Sequence, residues 1–131
     1  MKFSKNLVSL AAVGAIAGGG LVASTGTAQA ASCYGGAVAY SKAAGAHYTS
    51  MKTTSSRCND INIKNNGNSG TVFRYVKVCF YNSDNTLNYC QSSYKKAYTD
   101  KWKAVATDVA DGTKYKFRFQ TTTKSTGVRA H

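Results

Sequence analysis

The chain contains no proline and no glutamate, and its only acidic residues are five aspartates. Without Glu, the paired-carboxylate chemistry of most glycosidases would fall to Asp alone. Those aspartates stand mostly at expected turns or strand starts (Asp84, Asp100, Asp111), while Asp60 and Asp108 have no obvious mate. Leu is scarce, whereas Thr, Tyr, Val, Asn and Gly are abundant. That balance favours strands and turns over helices. Long apolar runs are also missing after Val22, so no later segment could cross a bilayer, and no membrane insertion is expected.

The first 30 residues are built differently from the rest. Lys2 and Lys5 precede an apolar stretch from Leu7 to Val22, and Ala28-Gln29-Ala30 has the small-x-small form of a signal-peptidase site. Residues 1–30 therefore read as a signal peptide, and the mature protein is expected to be secreted and extracellular. Ala30-Ala31-Ser32 is a poor lipobox, which argues against a lipid anchor on Cys33. Removing 30 of the 131 residues leaves 101, enough for one small domain. Of the 17 basic residues, 15 remain against five Asp, a net charge of about +10. The lysines are spread along the expected strands rather than clustered, so the charge reads as solubility or adhesion, and no nucleic-acid partner is expected.

Four cysteines in an exported chain, Cys33, Cys58, Cys79 and Cys90, predict two disulfides. Alternation over Ile61-Asn62-Ile63-Lys64 marks a strand, Asn65 to Gly70 a loop, and Thr71 to Tyr81 a long central strand. A turn centred on Asp84-Asn85 sets Cys79 directly opposite Cys90. A cross-strand bridge follows, leaving Cys33 to pair with Cys58. Asp111-Gly112 is a preferred hairpin turn. It would set Ala104 opposite Phe119 and Ala106 opposite Phe117, with Trp102 on that core face and Lys101, Lys103, Lys114, Lys116 and Arg118 on the other. Residues 31–57 are indecisive, with short strands suggested at Ala37 to Tyr40 and His47 to Met51, and Thr121 to His131 reads as a polar tail or one more strand. The expectation is an all-β fold, a small antiparallel β-sandwich of six to seven strands with two disulfides. Residues 58–131 would form its core and 31–57 an extended segment able to reach a partner.

Catalytic and metal chemistry find little support. His47 and His131 are the only histidines, one in a Gly-Ala-rich stretch and one terminal. No Gly-x-Ser-x-Gly elbow is present. The cysteines lack close C-x-x-C pairs, and Asn82 to Thr86 lacks the closing acid of a calcium loop. No catalytic residue, metal ligand or cofactor is assigned, and the chain is read as a non-enzyme. Tyrosine, by contrast, is in surplus, with nine residues. Tyr offers rigid contact area and a hydroxyl, which suits an interface. Candidate partner-binding residues are Tyr34, Tyr40, Tyr48 and the cluster Tyr94, Lys95, Lys96 and Tyr98, the last four on an expected loop between sheets.

Cys58 to Lys64, Arg74 to Phe80, Asn88 to Gln91, Trp102 to Ala106 and Asp111 to Tyr115 together give the chain a resemblance to small secreted β proteins of filamentous Gram-positive bacteria. Within that neighbourhood it is similar to the adaptor subunits of umbrella toxin particles. Those link a lectin-like subunit to a large repeat-containing toxin that inhibits competing bacteria. The resemblance implies protein partners of those two kinds, with residues from Ala31 to about Thr54 as an arm that adds a strand to a partner. A second likeness is to tendamistat-like α-amylase inhibitors. Their Trp-Arg-Tyr triplet is absent here, since Trp102 lies between Lys101 and Lys103.

The expected function is a secreted, non-enzymatic adaptor of a multi-subunit antibacterial toxin particle. The alternatives are an inhibitor of a secreted hydrolase and a basic antimicrobial polypeptide acting alone.

Overall fold

The computed structural model describes residues 32–67, 70 and 72–131. The signal-peptide assignment, residues 1–30, therefore lies outside the described residues, as do Asn68, Ser69 and Thr71 of the expected loop and strand. Among the described residues nine strands follow in chain order: β1 (Val38–Lys42), β2 (Lys52–Thr53), β3 (Ile61–Asn65), β4 (Phe73–Tyr81), β5 (Leu87–Cys90), β6 (Lys95–Tyr98), β7 (Lys103–Ala106), β8 (Lys114–Phe119) and β9 (Ser125–Ala130). One four-stranded sheet has the order β1-β9-β3-β7. The other has the order β2-β8-β4-β5, with β6 also paired to β4. All pairings are antiparallel. The all-β sandwich expected from the sequence is present.

The count exceeds the expected six to seven because the added strands carry weak signals. β6 was expected to be a loop, but it pairs with β4 from Phe73↔Tyr98 to Val76↔Lys95, and only Ala97 is fully buried. In β9 the positions facing the core include Ser125 and Arg129, polar where a strand signal needs apolar residues. Described residues of the 31–57 segment also join the sandwich. β1 pairs with β9, β2 with β8, and Tyr48 bridges to Arg118.

Between the sheets lie Tyr115, Phe117 and Phe119 of β8, Val76, Val78 and Phe80 of β4, Ile61 and Ile63 of β3, Val105 and Ala106 of β7, Ala97 and Tyr40. β8 alternates strictly between these aromatics and Lys114, Lys116 and Arg118, so the inward set follows from period-two geometry. Each large side chain withdrawn from water stabilises the fold by about 1.5–3 kcal/mol.

Both disulfides have the expected pairing, Cys33–Cys58 and Cys79–Cys90. The second follows from register, since Cys79 faces Cys90. A register shift between Phe80 and Tyr81 then sets Tyr81 against Leu87. The bridge at Cys33 spans 25 residues and fastens a helical turn over 32–35 to the sandwich. Closing a loop of this length stabilises by about 3 kcal/mol.

The expected hairpin between β7 and β8 is not formed, because the two strands belong to different sheets. β7 pairs with β3 instead, Ile61 facing Ala106 and Ile63 facing Lys103. Asp111-Gly112 does turn the chain, with Gly112 at φ 80°. However, besides the bond of the Thr113 hydroxyl to Ala110 O within it, the connection bonds to a distant part of the chain. Val109 N–H donates to Asn59 O, Gly112 N–H to Thr54 O, and the Thr54 hydroxyl to Ala110 O. These bonds carry the chain from one sheet to the other. Lys101 and Lys103 accordingly leave the basic row of β8. Trp102 is half-buried, its ring stacked on Tyr34 at 4.5 Å rather than placed in the core.

Candidate aromatic and cationic interface

The outward positions of β4 are Phe73, Tyr75, Lys77, Cys79 and Tyr81, alternating with inward Arg74, Val76, Val78 and Phe80. Pairing lays Lys96 of β6 beside Tyr75, and Arg118 and Lys114 of β8 beside Lys77 and Tyr81. Three strands therefore present aromatic rings and cations alternately on one sheet face.

These side chains interlock. Lys96 Nζ lies 4.6 Å from the Phe73 ring centroid and 5.7 Å from those of Tyr75 and Tyr98. Lys77 Nζ lies 4.6 Å from Tyr94, and Lys116 Nζ 5.1 Å from Tyr81 and 5.8 Å from Tyr48. Arg118 joins two rings by hydrogen bonds, Nε donating to the Tyr94 hydroxyl at 3.1 Å and Nη1 to the Tyr48 hydroxyl at 2.7 Å. Each exposed cation–ring contact contributes about 0.5–1 kcal/mol, so together they fix side chains that would otherwise sample many rotamers. The hydroxyls of Tyr94 and Tyr48 raise the Arg118 pKa further, while burial and the neighbouring Tyr48 raise that of Tyr81. The face stays cationic at neutral pH. No aspartate enters it, since all five occupy turns or bends. Asp84, at the β4–β5 turn, is held by Thr86 through its N–H at 3.0 Å and its hydroxyl at 2.6 Å.

Of the candidates named from sequence, Tyr48, Tyr94, Lys96 and Tyr98 converge on this face. Lys95 shares the register position of inward Val76 and is half-buried. Tyr34 belongs to the helical turn over 32–35 and stacks on Trp102, with Lys64 Nζ 5.2 Å from the indole. Tyr40 is in the core, only 4 % exposed, away from this face. Its hydroxyl bonds Ser125 at 2.9 Å, and burial pushes its pKa up to about 12. Lys77, Lys96, Lys114, Lys116 and Arg118, spread over three strands, share one face. Phe73 and Lys77 were missed. The same-parity series Phe73, Tyr75, Lys77, Tyr81 was the available signal.

A second set of cations is buried. Arg129 and Lys42 are each 1 % exposed. Arg129 Nη1 donates to the Thr49 hydroxyl and Ser50 O, both at 3.2 Å, and Nη2 to the Ser50 hydroxyl at 3.1 Å, while Nε has no partner among the described residues. Lys42 Nζ donates to Ala46 O at 2.8 Å and Thr123 O at 2.5 Å. Burial lowers the pKa of both. They pin the 46–51 segment and the β8–β9 turn to the sandwich.

The histidines do not converge. His47 Nδ1 lies 3.0 Å from Phe119 O and His131 Nδ1 2.7 Å from the Tyr115 hydroxyl. Those anchor points are four residues apart on β8, about 13 Å along a strand. Among the described residues no group of three or more His, Cys, Asp or Glu could hold a metal ion. None of their helices is long and apolar enough to cross a membrane. No protein-family model, curated protein or solved structure matches the chain.

Proposed function

We propose that this chain is a secreted, non-catalytic binding protein that serves as an adaptor subunit of a multi-subunit antibacterial particle. The observation that carries the binding reading is the interlocked face of β6, β4 and β8. Tyr and Arg are the side chains that dominate protein interfaces. Here they are immobilised by one another in advance, which lowers the entropy cost of docking. Export is supported by the leader-like residues 1–30 and by two disulfides, a pattern of oxidising compartments. The assembly reading is supported by the sequence resemblance, and its partners are a lectin-like subunit and a large repeat-containing toxin.

Native size fractionation of culture supernatant tests it. The protein is expected in a large particle with those two subunits, and to leave the particle when Lys77, Lys116 and Arg118 are changed together to Glu. Elution of the native chain as a free monomer near its own mass defeats the adaptor reading.

A further inference from the structure

At one end of the aromatic and cationic face the surface dips into a groove of about 310 Å³. Phe73 and Tyr75 form one wall, Gln120 and Thr121 the other, and Arg74 also lines it. The surrounding charge is of one sign. Arg74, 6 % exposed, donates from Nη2 to Lys124 O at 2.8 Å. Lys42 reaches the carbonyl of Thr123, another lining residue. The Lys96 ammonium rests on the Phe73 and Tyr75 rings that make the wall. No acidic residue lines the groove.

We infer that this groove is an anchor site for a glutamate side chain on the surface of a protein partner. The inference rests on the binding function proposed above and assigns its partner a chemistry. A glutamate has an apolar stem to lie between Val72, Phe73 and Tyr75 and an anionic head to reach Lys96, the exposed ammonium over the Phe73 and Tyr75 rings. The groove is at the small end of ligand-pocket volumes, suited to one anchoring side chain rather than a larger ligand.

The adjoining face favours a carboxylate-bearing protein over a nucleic acid. Base stacking needs open ring faces. The rings here already carry ammonium groups: Lys77 on Tyr94, Lys96 on Phe73, Tyr75 and Tyr98, and Lys116 on Tyr81. The cations among these rings are Lys77, Lys96, Lys116 and Arg118, of which Lys96 is exposed and the others half-buried. They spread over three strands, matching a folded surface better than a linear chain.

The test is an amide-resolved NMR titration of the mature protein with poly-L-glutamate, with an oligothymidylate as the second probe. Poly-L-glutamate is expected to shift the amides of Phe73 to Tyr75 and Gln120 to Thr123. Gln120→Glu, at an exposed lining position, should weaken it about tenfold by like-charge repulsion. Lys103→Glu on β7 makes a larger charge change away from the groove and should leave those groove shifts in place. Absent or displaced shifts, undiminished binding by Gln120→Glu, or equal affinity and the same shifts with oligothymidylate each overturn the inference. The amide spectrum of each variant verifies its fold. The particle assay separates the two levels. A native particle that admits Gln120→Glu as well as the wild type defeats the glutamate anchor alone. No particle, with groove shifts intact, defeats the adaptor reading alone.

Discussion

The Tyr34 and Trp102 rings lie nearly parallel, 14° apart with centroids separated by 4.5 Å, and this contact ties the first described turn to the sheet of β3 and β7. Tyr34 adjoins Cys33, so a covalent and an aromatic fastening act on the same short segment. Tyr34→Ala should cost about 1–2 kcal/mol, from the stacking energy plus partial burial. In a background lacking the Cys33–Cys58 bridge, the same substitution should release the turn. Urea denaturation of the single and combined variants checks this. Simple additivity would show that the two fastenings act independently.

Arg129 is a buried cation whose hydrogen bonds go to Thr49 and Ser50, with Tyr115 and Phe117 rings 5.8 and 6.0 Å away. Arg129→Ala removes charge-assisted bonds of about 1.5–3 kcal/mol each, offset by relief of the desolvated charge. A net loss of about 2–4 kcal/mol is expected, with faster hydrogen exchange at the amides of Thr49 and Phe117. Arg129→Met keeps the volume and should lose less stability while exchanging as fast. Equal exchange in wild type and variants would show that the 46–51 segment is held without Arg129.

Stability should fall in two separate acid windows. Burial, with Arg129 and Lys52 nearby, lowers the pKa of His131 below its ordinary 6.5. The unfolded chain then binds the proton more readily. The contribution of His131 is therefore full above about pH 6.5 and is lost as pH falls through the lower folded value. Protonation also removes the Nδ1 lone pair that can accept from the Tyr115 hydroxyl. Asp84 is lowered by its bonds to Thr86, so its contribution is present above about pH 3.9 and is lost only below that. Melting temperatures of wild type, His131→Gln and Asp84→Asn across pH 3 to 8 should show each variant flattening its own window. A first window unchanged by His131→Gln would refute the assignment.

Much of this molecule was legible wherever a strand alternates and its partner is next in sequence. The inward and outward sets of β8 and the Cys79–Cys90 register both followed from local patterns. The partner of β7 did not. Asp111-Gly112 specifies a reversal of the chain, but which sheet receives the next strand is decided by bonds to Thr54 and Asn59, more than 50 residues earlier. The candidate site was half legible for a related reason. Tyr40 and Tyr48 are the same residue type eight positions apart, yet one packs on Phe117 and Phe119 while the other accepts from Arg118. Ser125 and Arg129, facing inward, leave Thr121 to His131 open between a polar tail and a strand, because polar residues at core positions erase the apolar period.

Gly127 supplies the sharpest stability test. It lies in β9, opposite Tyr40 of β1 and Asn65 of β3, so β9 is flanked on both sides there. A Cβ at this position would collide with the Lys64 carbonyl and lie 2.8 Å from Asn65 Cα and 2.9 Å from the Tyr40 ring. The first two obstacles are backbone and cannot rotate away. Gly127→Ala should therefore force β3 and β9 apart and cost about 3 kcal/mol or more, well above an ordinary surface substitution. Gly35→Ala is the matched control, because nothing lies within 4 Å of its Cβ. Equal unfolding midpoints for the two variants would mean that the close approach of β3 to β9 does not constrain position 127.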